Sequence, residues 1–417
     1  MAHVLLVTPA YPPFPGGGER YVMSLAKHIA ARGRRVTVVS SSATKESDFW
    51  QGCRPSAAET DARLDLQIIR CAIEPMPGGR QGLLAWRKAM VLISKLPGSQ
   101  TGLLLRMAKR IPAISGMSNA LAKIDAPVDL VHGFNISWEN ALVTGWRYAA
   151  SRGLPFVVTP FAHLGSDGQD RVALNSTMEH QRHLMGSADA LVVLTALEAE
   201  GLQRYGVAPR KVVVIGAGLE PLPPIVGDQP LLSSFGLTLP YVLFIGRASY
   251  DKGAIHAAQA VLSLHQQGMD LRLVLIGQSS AEFQRFLAQL PAQEKRVIRP
   301  LGIVDEAAKH ALLEKSALLM LPSRTDSFGI VLLEAWIHGK PVVAARAGGI
   351  PGVVDDGLNG LLVPFGDSQA LAEGARLLLE DEDLNRRMGE AGRQKVDAQY
   401  NWDHATDAML DLYQSII

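Results

Sequence analysis

Across residues 317–354 a strand, a turn, a helix and a second strand follow one another with almost nothing between them. The apolar run 317–321 reads as the end of a buried strand, 322–328 as a turn, 330–338 as a helix and 341–345 as the next strand. Two strands joined through a helix lie parallel, and a parallel sheet must be covered on both faces. This one stretch therefore commits the chain to an α/β architecture. It also leaves backbone N–H groups and the positive end of a helix at the turn, where an anion or a hydroxyl-rich ligand can sit. Asp326 and Glu334 are eight positions apart. With a helix starting near Gly329, Glu334 lies roughly one turn inside it while Asp326 stays in the loop. The plain alternative is that both are solvated acids at a helix start, where carboxylates are favoured anyway.

The same grammar opens the chain. Residues 3–8 form a β-rich run, a Pro- and Gly-rich turn follows, and Val22, Leu25, Ala26 and Ile29 then recur at helical spacing up to Gly33. Residues 35–40 supply the next strand and complete a βαβ unit. The turn holds Gly16, Gly17 and Gly18, which let a backbone approach a ligand closely, although a plain flexible loop reads the same way. Strands at 128–132, 156–159, 190–195 and 211–215 fill out this first sheet. His132, Asn135 and Glu139 follow one strand end and His163 another, the places where open α/β sheets bind ligands.

Residues 215–224 are rich in Gly and Pro and read as an interdomain linker. Gly216 and Gly218 after a strand imitate the start of a dinucleotide fingerprint, but Pro221 stands where the third small residue belongs, so that reading fails. A second α/β half starts at Tyr241. Its first strand, 241–245, runs into Gly246, Arg247, Asp251, Lys252 and Gly253. Two cations five residues apart at the mouth of a strand suit a diphosphate, Arg247 binding two oxygens at once and Lys252 acting as a point charge. An ion pair of Arg247 with Asp251 or Asp305 is the structural alternative. Further strands are expected at 271–276, at 297–301 with Gly302 and Ile303 after it, and at 361–364, with helices at 368–379 and 400–417.

These motifs resemble those of the retaining glycosyltransferases of family four. The Asp326 to Glu334 pair is similar to that family's acidic-x7-acidic signature, with Asp where the family usually carries Glu. Gly246-Arg247 with Lys252-Gly253 resembles its phosphate motif. The resemblance implies a GT-B fold, two Rossmann-like doubly wound α/β domains facing a central cleft. Residues 1–220 would form the acceptor side, joined by the helix 400–417, and residues 225–399 would hold the nucleotide sugar. It also implies the roles. Arg247 and Lys252, with Gly17 and Gly18 opposite, would stabilise the leaving diphosphate. Glu334 would bind the ribose. Asp326, Ser327 and the amides of Phe328, Gly329 and Ile330 would hold the donor sugar, with His163 approaching it. Gly302 and Ile303 would lie beside the base. With two cations and oriented amides available, neither a metal nor a cofactor is expected, and the substrate is a nucleotide diphosphate sugar.

The remaining expectations come from composition. Net charge is +1 over 417 residues, which excludes a global field for nucleic acid. Cys53 and Cys71 alone make no disulfide scaffold or metal site, so a cytoplasmic setting fits. The first residues read as a strand rather than a signal peptide, and no apolar run is long enough to span a bilayer. Residues 76–124 stand apart, with eight Lys or Arg residues, no acid and many interspersed leucines. A basic helix with an apolar face can lie on an anionic membrane; two helices packed on the sheet with a solvated cationic rim would look the same. Within the resemblance this stretch hints at a lipid-linked or anionic acceptor and a peripheral membrane contact through 80–123. The resemblance implies a retaining, hexosyltransferase-type enzyme. The rivals are a nucleotide-sugar epimerase of the same fold and a non-catalytic sugar-nucleotide binder. A two-carboxylate glycosidase would leave the cationic pair without a purpose.

Overall fold

The computed structural model describes residues 2–166, 171–220, 235–237 and 240–417. The chain forms two compact units, one of Met1–His163, Gln169–Gly218 and Trp402–Ile417 and the other of Leu164–Gly168 and Leu219–Asn401. The short segment Leu164–Gly168, unmarked in the sequence, thus goes with the second unit. Of the expected linker, residues 221–224 lie outside the described residues.

The strands of the first unit are β1 (His3–Val7), β2 (Arg35–Ser41), β3 (Glu59–Asp61), β4 (Leu66–Ile73), β5 (Ile114–Ser115), β6 (Leu130–Phe134), β7 (Phe156–Thr159), β8 (Ala190–Val193) and β9 (Val212–Val214). Their order is β3-β4-β2-β1-β6-β7-β8-β9, with β5 beside β4. All pairings are parallel except those of β3 and β5 with β4. Every residue of β1, β6, β7 and β8 is buried, because helices cover both faces, whereas edge strand β9 leaves Val212 and Val214 half exposed. The last helix, Trp402–Gln414, belongs to this unit. It packs on the helix Gly17–Ala31 through Trp402, which stacks on His28, and through Arg32, which pairs with Asp403 at 2.8 Å and Asp407 at 2.7 Å.

Gly218, last residue of the first unit before the crossing, is glycine for a packing reason. A Cβ there would lie 2.4 Å from the backbone nitrogen of Trp402, the residue at which the chain returns. Its likeness to a nucleotide fingerprint is thus accounted for by close packing.

In the second unit β10 (Tyr241–Ile245), β11 (Arg272–Ile276), β12 (Ile298–Gly302), β13 (Leu318–Leu321), β14 (Val342–Ala345) and β15 (Gly360–Val363) form a wholly parallel sheet in the order β12-β11-β10-β13-β14-β15. Helices including Ala254–Gln266 and Ser368–Glu380 bury one face in a core of Val242, Phe244, Leu273, Leu318, Val343 and Leu371. In both units the order reverses beside the first strand, between β1 and β6 and again between β10 and β13. Each reversal opens a crevice at the carboxyl ends of its strands, where doubly wound sheets take their ligands.

Candidate active site

Both turns at the second unit's reversal carry the predicted motifs. The turn after β10 holds Arg247 and Lys252, and the turn after β13 holds Asp326 to Ile330. Their backbones are in contact. A Cβ on Gly253 would lie 1.9 Å from the Pro322 carbonyl oxygen, and Gly253 also sits at φ 76°, so glycine is required twice over. The Arg324 amide donates to the Asp251 carbonyl at 3.0 Å, and the Arg324 guanidinium meets the Asp251 carboxylate at 2.7 Å. Across this seam Lys252 Nζ lies 2.9 Å from Asp326 Oδ1.

Asp251 is therefore Arg324's partner. Asp305 accepts the Ala308 amide at 2.7 Å as the cap of the helix Glu306–Lys315. The Arg247 side chain is exposed at the strand mouth.

Beneath Asp326 and Ser327 run two further glycines that the sequence reading passed over. A Cβ on Gly348 would lie 2.3 Å from the Asp326 carbonyl oxygen, and one on Gly349 would lie 1.8 Å from that of Ser327. The Gly349 amide donates to the Asp326 carbonyl at 2.8 Å. The helix Ile330–Ile337 then begins after Gly329, at φ 84°, with no side chain capping it. Phe328 is buried against Tyr400, so this residue offers a ligand its backbone rather than its ring.

Glu334 is not a solvated acid. It is buried one turn into that helix, and its Oε1 accepts from Lys309 Nζ at 2.7 Å. Lys309 is itself buried and donates also to Glu306 at 2.7 Å. Glu306, His310 and Glu334 have the spacing to surround a cation, but the lysine ammonium already bridges the two carboxylates, and His310 meets His338 at 2.9 Å. One Asp-x-Asp triplet exists, Asp381-Glu382-Asp383. Its acids cap the Leu384 amide and pair with Arg386 at a helix start, which is a structural use. Gly302, at φ 74°, ends β12 and Ile303 follows it. The Gly277 amide donates to the Gly302 carbonyl at 2.8 Å, and the Ile303 side chain stands exposed.

In the first unit the reversal lies between Gly16–Gly18 after β1 and Asn135–Glu139 after β6. Gly18 packs on Phe161, whose ring would be 3.2 Å from a Cβ there, so the glycine loop and the β7 turn leading to His163 adjoin. The Glu19 carboxylate folds back on Gly16, and desolvation pushes it up to about 7. This first helical turn thus already carries a carboxylate beside the amides expected for phosphate. The His163 amide donates to Ser176 Oγ at 3.2 Å. Just before it the Ala162 amide donates to buried Glu198, which also takes the Leu194 amide and so ties the ends of β7 and β8 together.

Three residues at or near the end of β6 have partners within the fold. His132 is fully buried between Thr159 Oγ1 at 2.8 Å and the Tyr413 hydroxyl at 2.6 Å, and burial pushes its imidazole down to about 3. Strand β6 continues to Phe134, two residues past the expected end, so His132 lies within the sheet. Glu139 is fully buried and accepts from Arg87 and Gln181, each at 2.7 Å. Asn135 takes φ 68° and accepts the Ser137 amide, which closes a turn.

The family model described as glycosyl transferases group 1 matches residues 233–395, and that of the glycosyl transferase 4-like domain matches residues 16–218. The chain is 32% identical over 334 residues to D-inositol 3-phosphate glycosyltransferase 1 of Catenulispora acidiphila, covering 74% of this chain and 77% of that one. It is 28% identical over 346 residues to alpha-maltose-1-phosphate synthase of Mycolicibacterium smegmatis, covering 73% and 86%. In fold it is similar to sucrose-phosphate synthase from Thermosynechococcus elongatus, with a TM-score of 0.73 at 20% identity over 100% and 99% of the two chains. The same holds for Anabaena Alr3699/HepE in complex with UDP and glucose, with a TM-score of 0.70 at 20% identity over 100% of each. The chain therefore belongs to the group 1 glycosyltransferases of the GT4 type and has their GT-B fold of two Rossmann-like domains.

Proposed function

We propose that this protein moves a hexose from a nucleotide diphosphate sugar to a hydroxyl of a phosphorylated sugar or polyol, with retention at the anomeric carbon and without a metal ion. The observation that carries the donor half of this reading is the seam between the turns after β10 and β13, where Lys252 and Asp326 stand 2.9 Å apart at the sheet's reversal. Arg247 and Lys252 take the leaving diphosphate and offset the charge that develops on it. Asp326, Ser327 and the amides of Phe328, Gly329 and Ile330 hold the sugar, and Glu334 accepts from the ribose. Gly302 and Ile303 border the base. The first unit's own candidates are Gly17 and Gly18 after β1 and His163 after β7. We assign no enzymic nucleophile.

The acceptor rests on the relatives, whose names carry inositol 3-phosphate and maltose-1-phosphate. They give no support to the lipid-linked acceptor expected from the basic stretch. The test is a screen of uridine, guanosine, adenosine and thymidine diphosphate sugars by thermal shift, followed by product analysis with phosphorylated and unphosphorylated acceptors. Selective stabilisation by one donor and transfer only to phosphorylated acceptors are expected. Rapid acceptor-free turnover would favour an epimerase or hydrolase, and no shift with any donor a silent fold.

A further inference from the structure

The stretch between Glu74 and Asp125 contains no acid, and the structure divides its residues between two sides. Leu83, Met90, Leu104 and Leu105 point inward and are buried. The helices Gly79–Ile93 and Thr101–Met107 are tied by Trp86 Nε1, which donates to the Met107 carbonyl at 3.1 Å. The outward side is different. Leu84, Leu92, Leu96 and Leu103 are 43%, 67%, 54% and 46% exposed, four of the eleven large apolar side chains exposed among the described residues. Single exposed leucines are ordinary; four within twenty residues of sequence make a surface that asks for a partner. Leu84, Lys88 and Leu92 follow at i, i+4 and i+8 and so form one stripe. Arg80, Lys88, Lys95, Arg106, Lys109 and Arg110, in the same stretch, are exposed as well.

We propose that this helical hairpin is a docking face for an anionic membrane surface, on which the protein rests without spanning the bilayer. Charge decides the occupant. A solvated rim needs no bare leucines, and a protein partner would usually be met by mixed charge, whereas leucines in a stretch whose own exposed charges are all cationic, with the neighbouring Glu179 carboxylate taken up by the Gln100 amide and the Ser99 and Thr101 hydroxyls, match acyl chains beneath anionic headgroups. No helix of the described residues is long and apolar enough to cross a membrane. The face is also preformed. Ser94 Oγ caps the Glu179 amide at 2.8 Å, and the Glu179 carboxylate in turn takes the Gln100 amide and the Ser99 and Thr101 hydroxyls, fixing the connection between the helices. None of these residues belongs to the donor site, so the proposal stands or falls independently of the acceptor.

The test is flotation of the full chain with vesicles of phosphatidylcholine alone and of phosphatidylcholine mixed with phosphatidylglycerol. Recovery about tenfold higher on the anionic vesicles, falling in high salt, is expected. The double variant Leu92→Ser with Leu96→Ser should lose most of that recovery while keeping donor turnover and its unfolding midpoint. Lys88→Glu with Lys95→Glu should abolish recovery altogether. Equal recovery on both vesicle types, or none, would overturn the proposal. So would light scattering that shows a dimer which the leucine variants dissolve, since the face would then belong to a second copy of the chain.

Discussion

Lys252 Nζ sits 2.9 Å from Asp326 Oδ1, so the cation assigned to the diphosphate and the carboxylate assigned to the sugar hold each other in place. The pair joins two turns that are far apart in sequence, and it pre-orients Lys252 before any donor arrives. Replacing Asp326 by Asn removes the charge that steers the lysine. A fall in kcat/KM of about 10²-fold is expected, the size of one strong transition-state contact. Asp326→Glu restores the family's usual carboxylate and should stay within about tenfold of wild type. Steady-state kinetics on the two variants checks this, and equal losses in both would mean that the charge is not what matters.

Gly349 predicts the cost of disturbing the donor turn from below. A Cβ 1.8 Å from the Ser327 carbonyl cannot be accommodated without moving that backbone. Gly349→Ala should raise donor KM about tenfold or more, while Gly33→Ala, at φ 75° in open space, should affect stability alone. Donor titrations of both variants distinguish a ligand-positioning glycine from a merely conformational one.

The buried Lys309 and Glu334 pair makes a stability prediction. Lys309→Met leaves Glu334 buried without its ammonium and should cost about 3–5 kcal/mol, whereas adding Glu334→Gln should recover much of that loss. Denaturant unfolding of the single and double variants measures both. The double variant should nonetheless bind donor less well, because a neutral amide replaces the carboxylate proposed to accept from the ribose.

Acid should destabilise the protein through His132. Its folded-state value is pushed down to about 3 by burial, against 6.5 ordinarily, so below 6.5 the unfolded chain takes a proton that the folded one refuses. Stability therefore rises with pH between about 3 and 6.5 and levels off above, by up to about 1.4 kcal/mol per pH unit. His338, pushed down to about 4, acts in the same direction. Glu198, pushed up to about 7, acts in the opposite one, losing stability as pH rises from 4.5 to 7. Comparing the slope of unfolding free energy against pH in wild type and His132→Gln isolates the histidine. The variant is expected to be less stable throughout but flatter between pH 4 and 6.5.

The parallel sheets were legible because their strands are continuous apolar runs punctuated by glycine, and the positions of the turns that hold Arg247, Lys252 and Asp326 because they follow strand ends. What escaped the sequence were partners brought together by the fold. Lys309 is 25 positions from Glu334 and Arg324 is 73 from Asp251, and nothing local marks either pair. Gly348 and Gly349 have their role only through the Asp326 and Ser327 carbonyls packed against them, which nothing local marks. His132 and Glu139 show the opposite failure. Position at a strand end suggested a ligand, but it says nothing of which way a side chain points, and both point into the protein. The stretch 44–124 was hardest, since none of its helices carries a side-chain cap to mark where it begins.

The most direct measurement is sugar transfer by Lys252→Ala with the donor identified for the wild type. Loss of at least about 10²-fold in turnover, with the unfolding midpoint unchanged, is the expected result. Near-normal turnover in a folded variant would contradict the assignment of the diphosphate to this turn, and with it the reading of the site.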